Sequence, residues 1–82
     1  MELHADLLEM IATEVSLDPS AEIVGSTDLL LTGLVDSLGI IDVVAWLEDR
    51  LDLTIEPSDI VLEHFQTVDL MTEFIGRLTA GA

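Results

Sequence analysis

The stretch "LVDSLGIIDVVAWLEDRL", residues 34–51, decides the fold because it holds the clearest helical periodicity in the chain. Asp36 is a residue type that favours the position just before a helix, so it predicts an N-cap. The β-branched cluster in "GIIDVVA" would also suit a strand, but "WLEDRLD" continues the 3.6-residue period and a strand of this length would be unusual. We predict a helix over about residues 37–51. Its candidate inner stripe is Leu38, Ile41, Val44 or Ala45, Leu47 and Leu51.

The composition limits what the chain can bind. Its 82 residues contain 17 acids and two bases, which gives a formal net charge of −15. Phosphate recognition needs a basic face, so we expect no nucleic acid partner, and an anionic membrane surface would repel the chain. The partners that such a field attracts are basic protein surfaces, although solubility alone would also explain the charge. A chain of this length supports one small core and little room for an enclosed active site.

Several sequence features bear on location and domain organisation. There is no cysteine, which removes disulfides and thiolate chemistry. The start, "MELHADLLEM", is acidic and periodic where a secretory signal would be basic and then continuously apolar. The longest run without a charged residue, "LLLTGLV" at residues 29–35, is too short to span a bilayer. We expect a cytoplasmic monomer with a single domain over residues 1–82.

Apolar spacing predicts a helix before this stretch as well. Leu3, Leu7, Met10, Ile11 and Val15 recur at helical intervals, which predicts a first helix over about residues 2–16, stopped by Asp-Pro-Ser at residues 18–20. Residues 19–36 lack a period but keep apolar residues, so we predict a long loop pinned onto the core. A loop of this length is usually functional, or else it hides a missed element.

Two further helices follow the central one. Pro57 suits a first helical position, so "SDIVLEHF" predicts a short third helix over residues 58–65 with Ile60, Val61 and Phe65 facing inward. Thr67 is expected to cap a fourth helix that ends before Gly81. Its predicted buried face is Val68, Leu70 or Met71, Phe74, Ile75 and Leu78. The predicted fold is an all-α four-helix bundle with a short third helix and a long loop between helices one and two.

Ser37 is the candidate functional residue, and the residues alone leave three roles for it. It fits an ordinary first helical turn, a nucleophile, or a handle for modification. A nucleophile needs a base and an oxyanion hole, yet "VDSLG" is not the G-x-S-x-G elbow and nothing marks His4 or His64 as a partner. Neither histidine has metal-ligand spacing. Gly39 reduces the side-chain cover beside the hydroxyl, so we expect the hydroxyl to be accessible.

The motif and its setting resemble a known family. "GLVDSLGIIDVVAWLEDRL" is similar to the centre of acyl and peptidyl carrier proteins, which place Asp-Ser-Leu at the start of the second helix and a Leu-Glu pair further along. "IEPSDIVLEHFQTVDLMTEFI" is similar to their short third helix and last helix. The tripeptide is common, but its position in an acidic four-helix domain of this length is specific.

The resemblance implies a role for Ser37 and for its neighbours. A phosphopantetheinyl transferase would esterify Ser37 with 4′-phosphopantetheine, and the arm would carry cargo as a thioester without the carrier being an enzyme. An adenylating ligase or acyltransferase would load the arm, and downstream biosynthetic enzymes would use it. The implied partner-binding face is Asp36, Leu38, Ile41, Asp42, Ala45 and Glu48.

The subtype and one aromatic residue complete the expectations. The Gly-Leu-Val-Asp-Ser spacing and the later half of the chain resemble D-alanyl and stand-alone aminoacyl carrier proteins, which implies aminoacyl or short polar acyl cargo.

Trp46 is expected to be partly buried, with a docking role left open. The rival hypothesis is an acidic helical adaptor or inhibitor that binds a basic enzyme non-covalently.

Overall fold

The first helical segment contains two kinds of turn. The computed structural model of the protein describes residues 3–18 and 20–80. Helix α1, Leu3–Met10, continues into a π-helical turn, Ile11–Val15, that closes with a hydrogen bond of 2.8 Å from the Ser16 N–H to the Ile11 carbonyl. The helix predicted over residues 2–16 is confirmed within the described residues, with its end at Val15. Glu2 and Pro19 lie outside them.

The π turn keeps three core residues in line. In an α-helix each residue advances by about 100°, so residues four apart drift by about 40° around the axis. A π turn bonds residue i to i+5 and advances each residue by a smaller angle. The drift from Leu7 to Ile11 is therefore compensated between Ile11 and Val15, and all three side chains are buried.

The long loop between the first two helices is held by main-chain hydrogen bonds. Leu29 and Val35 are buried within it, and the Leu29 N–H donates to the Gln66 carbonyl at 2.8 Å. The Leu17 N–H donates to the Leu34 carbonyl at 2.8 Å, which ties the two ends of the loop together. The prediction of a pinned loop is confirmed, and the described part of it contains no further helix or strand.

Helix α2, Ser37–Leu51, has the predicted bounds. It ends where Asp52 adopts a left-handed conformation with φ of 52°, and the Asp52 N–H donates to the Glu48 carbonyl. A polar aspartate tolerates this conformation better than most residues, which gives the helix a stop without glycine. The strand alternative for this stretch is wrong.

The predicted inner stripe of α2 is correct only in its second half. Leu47 is fully buried and Val44 rather than Ala45 faces inward, but Leu38 and Ile41 are 69% and 60% exposed. The buried residues of the first half are Gly39, Ile40 and Val43. Because apolar residues occur on both faces of this half of the helix, apolar spacing alone could not show which face is buried.

The predicted third helix is two pieces. Pro57 opens a 3₁₀ turn, Pro57–Asp59, and helix α3 is the single turn Leu62–Phe65. Val61 between them is extended, with φ of −129° and ψ of 161°, and it is 41% exposed. The prediction that Val61 faces inward is therefore wrong, whereas Phe65 is buried as predicted and Ile60 is half-buried.

Helix α4, Val68–Ala80, begins and packs as predicted. The Thr67 hydroxyl accepts a hydrogen bond of 3.0 Å from the Leu70 N–H, which confirms the cap. Leu70 and Leu78 are half-buried. The predicted stop at Gly81 lies outside the described residues. The fully packed face of α4 consists of Val68, Met71, Phe74 and Ile75.

One hydrophobic core joins these elements into an all-α four-helix bundle, as predicted. α1 packs against α4, the π turn packs against α2, and α3 packs against α4. None of the helices in residues 3–18 and 20–80 is long and apolar enough to cross a membrane. The buried apolar side chains are Leu7, Met10, Ile11, Val15, Leu29, Val35, Ile40, Val43, Val44, Leu47, Ile55, Phe65, Val68, Met71, Phe74 and Ile75.

Candidate functional site

Ser37 lies exposed at the first position of α2. The preceding residue, Asp36, is extended with φ of −96° and ψ of −176°, and its carboxylate accepts a hydrogen bond of 2.9 Å from the Gly39 N–H. This is the geometry of a helix N-cap. The predictions of the Asp36 cap and of an accessible Ser37 are both confirmed.

The first turn of α2 leaves two donors beside the Ser37 hydroxyl. The side chain and the carbonyl of Asp36 occupy the N–H groups of Gly39 and Ile40. Within the described residues, the N–H groups of Ser37 and Leu38 donate to no other protein group. Such free amides at a helix start suit phosphate oxygens, so this site fits a phosphodiester on Ser37. The Asp36 carboxylate opposes that charge, although it is turned toward the Gly39 N–H.

Gly39 has a different function from the one predicted. It is buried, and a Cβ atom built on it would lie 2.6 Å from Cγ1 of Val15 and 2.8 Å from Cγ1 of Val35. The expectation that glycine uncovers the hydroxyl is therefore wrong, because Gly39 faces the core. Glycine is needed there for the close approach of α2 to the π turn and to the loop.

The structure places neither histidine against Ser37. Nε2 of His4 lies 2.7 Å from the Asp69 carboxylate, and the ring of His64 stacks on Phe74 with centroids 4.4 Å apart. Both histidines are half-buried. A hydrolase mechanism therefore has no base at Ser37 in the described part of the chain. No group of three or more His, Asp or Glu side chains in that part is arranged to hold a metal ion.

Most of the predicted partner-binding residues lie on one exposed strip of α2. Leu38, Ile41, Asp42 and Ala45 are exposed, and they follow the three- and four-residue spacing of a single helix face. Asp36 is exposed at the start of the strip. We call these five residues the α2 face. It combines apolar side chains with two carboxylates beside the hydroxyl.

Glu48 does not belong to the α2 face. It is half-buried, and its Oε2 atom accepts a hydrogen bond of 2.8 Å from the Ile55 N–H. That hydrogen bond holds the segment after α2 against the helix. The structure therefore gives Glu48 a structural role where a docking role was expected.

Sequence reasoning missed five exposed apolar side chains outside α2. In the long loop, Leu17, Val24 and Leu31 are 61%, 51% and 71% exposed. At the start of α3, Val61 and Leu62 are 41% and 44% exposed. Exposed apolar side chains mark an interaction surface when they form a contiguous patch, whereas scattered ones are ordinary. For Leu31 the available signal was the uncharged "LLLTGLV" run, which is too apolar for an ordinary loop.

Asp28 fixes the turn that carries Leu31. Its Oδ1 atom accepts from the N–H groups of Leu30 and Leu31, and its Oδ2 atom accepts from the Gln66 side chain at 2.8 Å. The hydrogen bond from Gln66, followed by the one from the Leu31 N–H, lowers the pKa of Asp28 below its usual value against the opposing effect of burial. This contact joins the loop to the end of α3.

Trp46 is half-buried, as predicted, on the side of α2 that meets α1. The Arg50 guanidinium lies 5.1 Å from the centroid of its ring and also pairs with Asp6 of α1. The second arginine, Arg77, pairs with Glu73 at 2.9 Å. The sequence has no lysine, so these two arginines are its only permanent side-chain cations, and both pair with acids. The protein therefore presents an acidic surface to its partners.

The sequence matches a known family over most of its length. The family described as the phosphopantetheine attachment site matches residues 5–75, so the chain belongs to this family. Domains of this family are carriers with covalently attached 4′-phosphopantetheine, and they are not enzymes. The carrier hypothesis is thereby supported over the hydrolase and the non-covalent adaptor.

Solved structures share the fold. A chain in the crystal structure of an FAD-dependent dehydrogenase matches with a TM-score of 0.74 and 26% identity, covering 84% of this chain and 97% of that chain. A chain in the crystal structure of the Bradyrhizobium japonicum glycine:[carrier protein] ligase complexed with glycylated carrier protein matches with a TM-score of 0.67 and 18% identity. That match covers 88% of this chain and 97% of that chain. No curated protein sequence matches this chain.

Proposed function

We propose that residues 1–82 form a carrier domain with 4′-phosphopantetheine on Ser37. The observation that carries the proposal is the exposed Ser37 hydroxyl at the start of α2, beside the free N–H groups of Ser37 and Leu38. The family match over residues 5–75 supplies the identity of the group. When bound, the arm supplies a thiol that holds cargo as a thioester.

The chain's own residues act in the attachment step by presenting an acceptor. A bond forms between Oγ of Ser37 and the phosphorus of the coenzyme A diphosphate, the diphosphate P–O bond breaks, and adenosine 3′,5′-bisphosphate leaves. The hydroxyl proton passes to a base of the transferase, since neither histidine of the carrier contacts Ser37. The two free amides then stabilise the phosphodiester oxygens.

Attachment is tested by intact-protein mass spectrometry after incubation with coenzyme A and a broad-specificity phosphopantetheinyl transferase. We expect the mass of one phosphopantetheinyl group to be added to the wild type and to Ser58→Ala. Ser58 is a matched control because it is another exposed serine, in the 3₁₀ turn. Addition to Ser37→Ala, or no addition to the wild type, would refute the assignment.

The proposed cargo is an aminoacyl or short polar acyl group. The Gly-Leu-Val-Asp-Ser spacing at residues 33–37 supports it, and so does the fold shared with a structure that contains a glycylated carrier protein. An ammonium group is costly to bury, so the cargo would stay outside the core. Core methyl NMR shifts should be unchanged by an aminoacyl load. Large shifts with an octanoyl load, together with turnover of only that form by partner enzymes, would contradict this.

The proposed partners bind at the α2 face. An adenylating ligase or an acyltransferase would load the arm, and downstream biosynthetic enzymes would receive the cargo. The apolar Leu38, Ile41 and Ala45 would supply buried contact, and Asp36 and Asp42 would attract basic residues of the partner. Alanine substitution of Leu38 and Ile41 should raise the KM of the transferase for the carrier. An unchanged KM would place docking elsewhere.

A flavin dehydrogenase is a second candidate partner. Its support is the 26% identity to a chain in the crystal structure of an FAD-dependent dehydrogenase. Such an enzyme would remove two electrons and two protons from the tethered acyl group and reduce its FAD. Mixing the loaded carrier with a candidate dehydrogenase anaerobically should bleach the flavin absorbance. The unloaded carrier is the control, and equal spectra for both would exclude that enzyme.

A further inference from the structure

Helix α2 approaches its neighbours at Gly39 more closely than a side chain would permit. A Cβ atom there would lie 2.6 Å from Cγ1 of Val15 and 2.8 Å from Cγ1 of Val35, distances that real Cβ atoms do not adopt. Both valines are buried, and β-branched side chains have few alternative rotamers. The neighbours therefore have little freedom to move away in a close-packed core.

We call Gly39, Val15 and Val35 the glycine seat, because the first turn of α2 rests there. Its three residues come from three elements. Val15 ends the π turn, where the Ser16 N–H donates back to the Ile11 carbonyl. Val35 belongs to the long loop, and its N–H donates to the Leu29 carbonyl at 2.9 Å. The seat thus fixes the first turn of α2 against two separately anchored segments.

The seat sets the direction of Ser37. Residues two apart on an α-helix point about 200° apart, so an inward Gly39 turns Ser37 outward. The Gly39 N–H also holds the Asp36 carboxylate at 2.9 Å, which keeps that charge beside the helix start. One residue therefore fixes both the acceptor hydroxyl and the charge next to it.

We propose that Gly39 is a positioning residue for the loading of Ser37, which rests on the proposed function of Ser37. A methyl group at residue 39 would push the first turn of α2 off the seat and displace the hydroxyl. Attack on phosphorus needs an aligned nucleophile, so a displacement of this kind lowers kcat roughly tenfold or more. Ile41, Asp42 and Ala45 of the α2 face lie beyond the first turn, so kcat should fall by a larger factor than KM rises.

The experiment compares two helical glycines. Gly39→Ala is set against Gly76→Ala, because Gly76 lies in α4 and a Cβ atom there would meet nothing within 4 Å. Both substitutions gain the same helix propensity. We expect Gly76→Ala to be loaded like the wild type and Gly39→Ala to lose kcat. The NMR amide signals of Ser37 and Leu38 should shift only in Gly39→Ala.

Rescue separates positioning from general destabilisation. A Cβ atom at residue 39 would meet both Val15 and Val35, so the rescue variant is Gly39→Ala/Val15→Ala/Val35→Ala, which removes both contacts. It should recover kcat and the wild-type amide signals relative to Gly39→Ala, and Val15→Ala/Val35→Ala is the background against which the recovery is measured. If Gly39→Ala does not fold, the role of Gly39 is structural and the proposal fails.

Other outcomes overturn the proposal separately from the function on which it rests. A kcat for Gly39→Ala within twofold of the wild type, with Ser37→Ala inert, refutes positioning and leaves the proposed function intact. A kcat loss that the combined Val15→Ala and Val35→Ala substitutions do not relieve also refutes positioning. Loading of Ser37→Ala refutes both.

Discussion

Asp36 combines two properties that can be separated by substitution. It caps α2 through the Gly39 N–H, and it places a negative charge beside Ser37. Asp36→Ala should lower the free energy of unfolding by about 1 kcal/mol, whereas Asp36→Asn should keep most of it because asparagine is an equally good cap. Urea denaturation measures both. Equal losses in the two variants would show that the charge, and not the cap, stabilises the helix.

At the level of single residues, the sequence predicted the position of Ser37 at the helix start and the Asp36 cap, because both follow from local helix-start chemistry. The close approach at Gly39 could not be predicted, since it depends on Val15 and Val35 from other segments. The same reason hid the structural role of Glu48. Its partner, the Ile55 N–H, lies beyond the end of the helix. Local patterns identify residue types, and tertiary neighbours determine what those residues do.

Glu48 should matter for stability through its acceptor oxygen and not through its charge. Glu48→Gln keeps an oxygen that can accept from the Ile55 N–H, so it should unfold at nearly the wild-type urea concentration. Glu48→Ala leaves that N–H without its partner and should cost about 1 kcal/mol. If Glu48→Gln lost as much stability as Glu48→Ala, the carboxylate charge would be the important property.

Among the elements, α2 was predictable to its bounds, and two others were not. The "WLEDRL" half of α2 has one apolar face, so its period is unambiguous. The π turn leaves no mark in the sequence, because residues four apart share a face in either kind of turn. The break at Ile60 and Val61 was hidden for a related reason. Both residues are apolar, and an extended pair can bury one of them while exposing the other.

The contact between Asp28 and Gln66 should give the bundle a pH dependence on the acid side. Hydrogen bonds lower the pKa of Asp28, and the largest contribution comes from the Gln66 side chain. The pKa of Asp18 is also lowered, mainly by the hydrogen bond from the Ser20 side chain. A lowered folded-state pKa stabilises above the unfolded value, near 4, and this stabilisation disappears as pH falls through the folded value. The stability advantage of the wild type over Asp28→Asn should therefore be present at pH 6 and shrink at pH 3.

Urea denaturation of both proteins at pH 6 and pH 3 measures this difference. Subtracting the two stabilities at each pH cancels the acid response of the carboxylates that both proteins share. Asp49→Asn is the control, because Asp49 is exposed on α2. An Asp28→Asn difference that stayed constant between pH 6 and pH 3 would contradict the linkage.

For the whole molecule, the negative electrostatic field is the dominant property. The net charge is −15 and both arginines pair with acids, so partner encounter should be steered by long-range attraction. Asp42→Lys should slow association with a basic partner and flatten the salt dependence of its on-rate. Folding stability should change little or rise, because repulsion between like charges is relieved.

Stopped-flow association over a range of salt concentrations measures the effect of Asp42→Lys. Glu9→Lys makes the same change in net charge at an exposed position on α1, away from the α2 face. A larger effect of Asp42→Lys locates the encounter on α2. Equal effects would mean that only the total charge matters.

The π turn has a consequence for insertions and deletions. It holds one residue more than an α-helix needs to bring Leu7 and Val15 onto one face, because α-helical residues seven apart also share a face. Deleting the exposed Thr13 would therefore let α1 run as a regular α-helix to its end, with both core side chains still directed inward. The length of the first helix can vary by one residue at this point without changing the core.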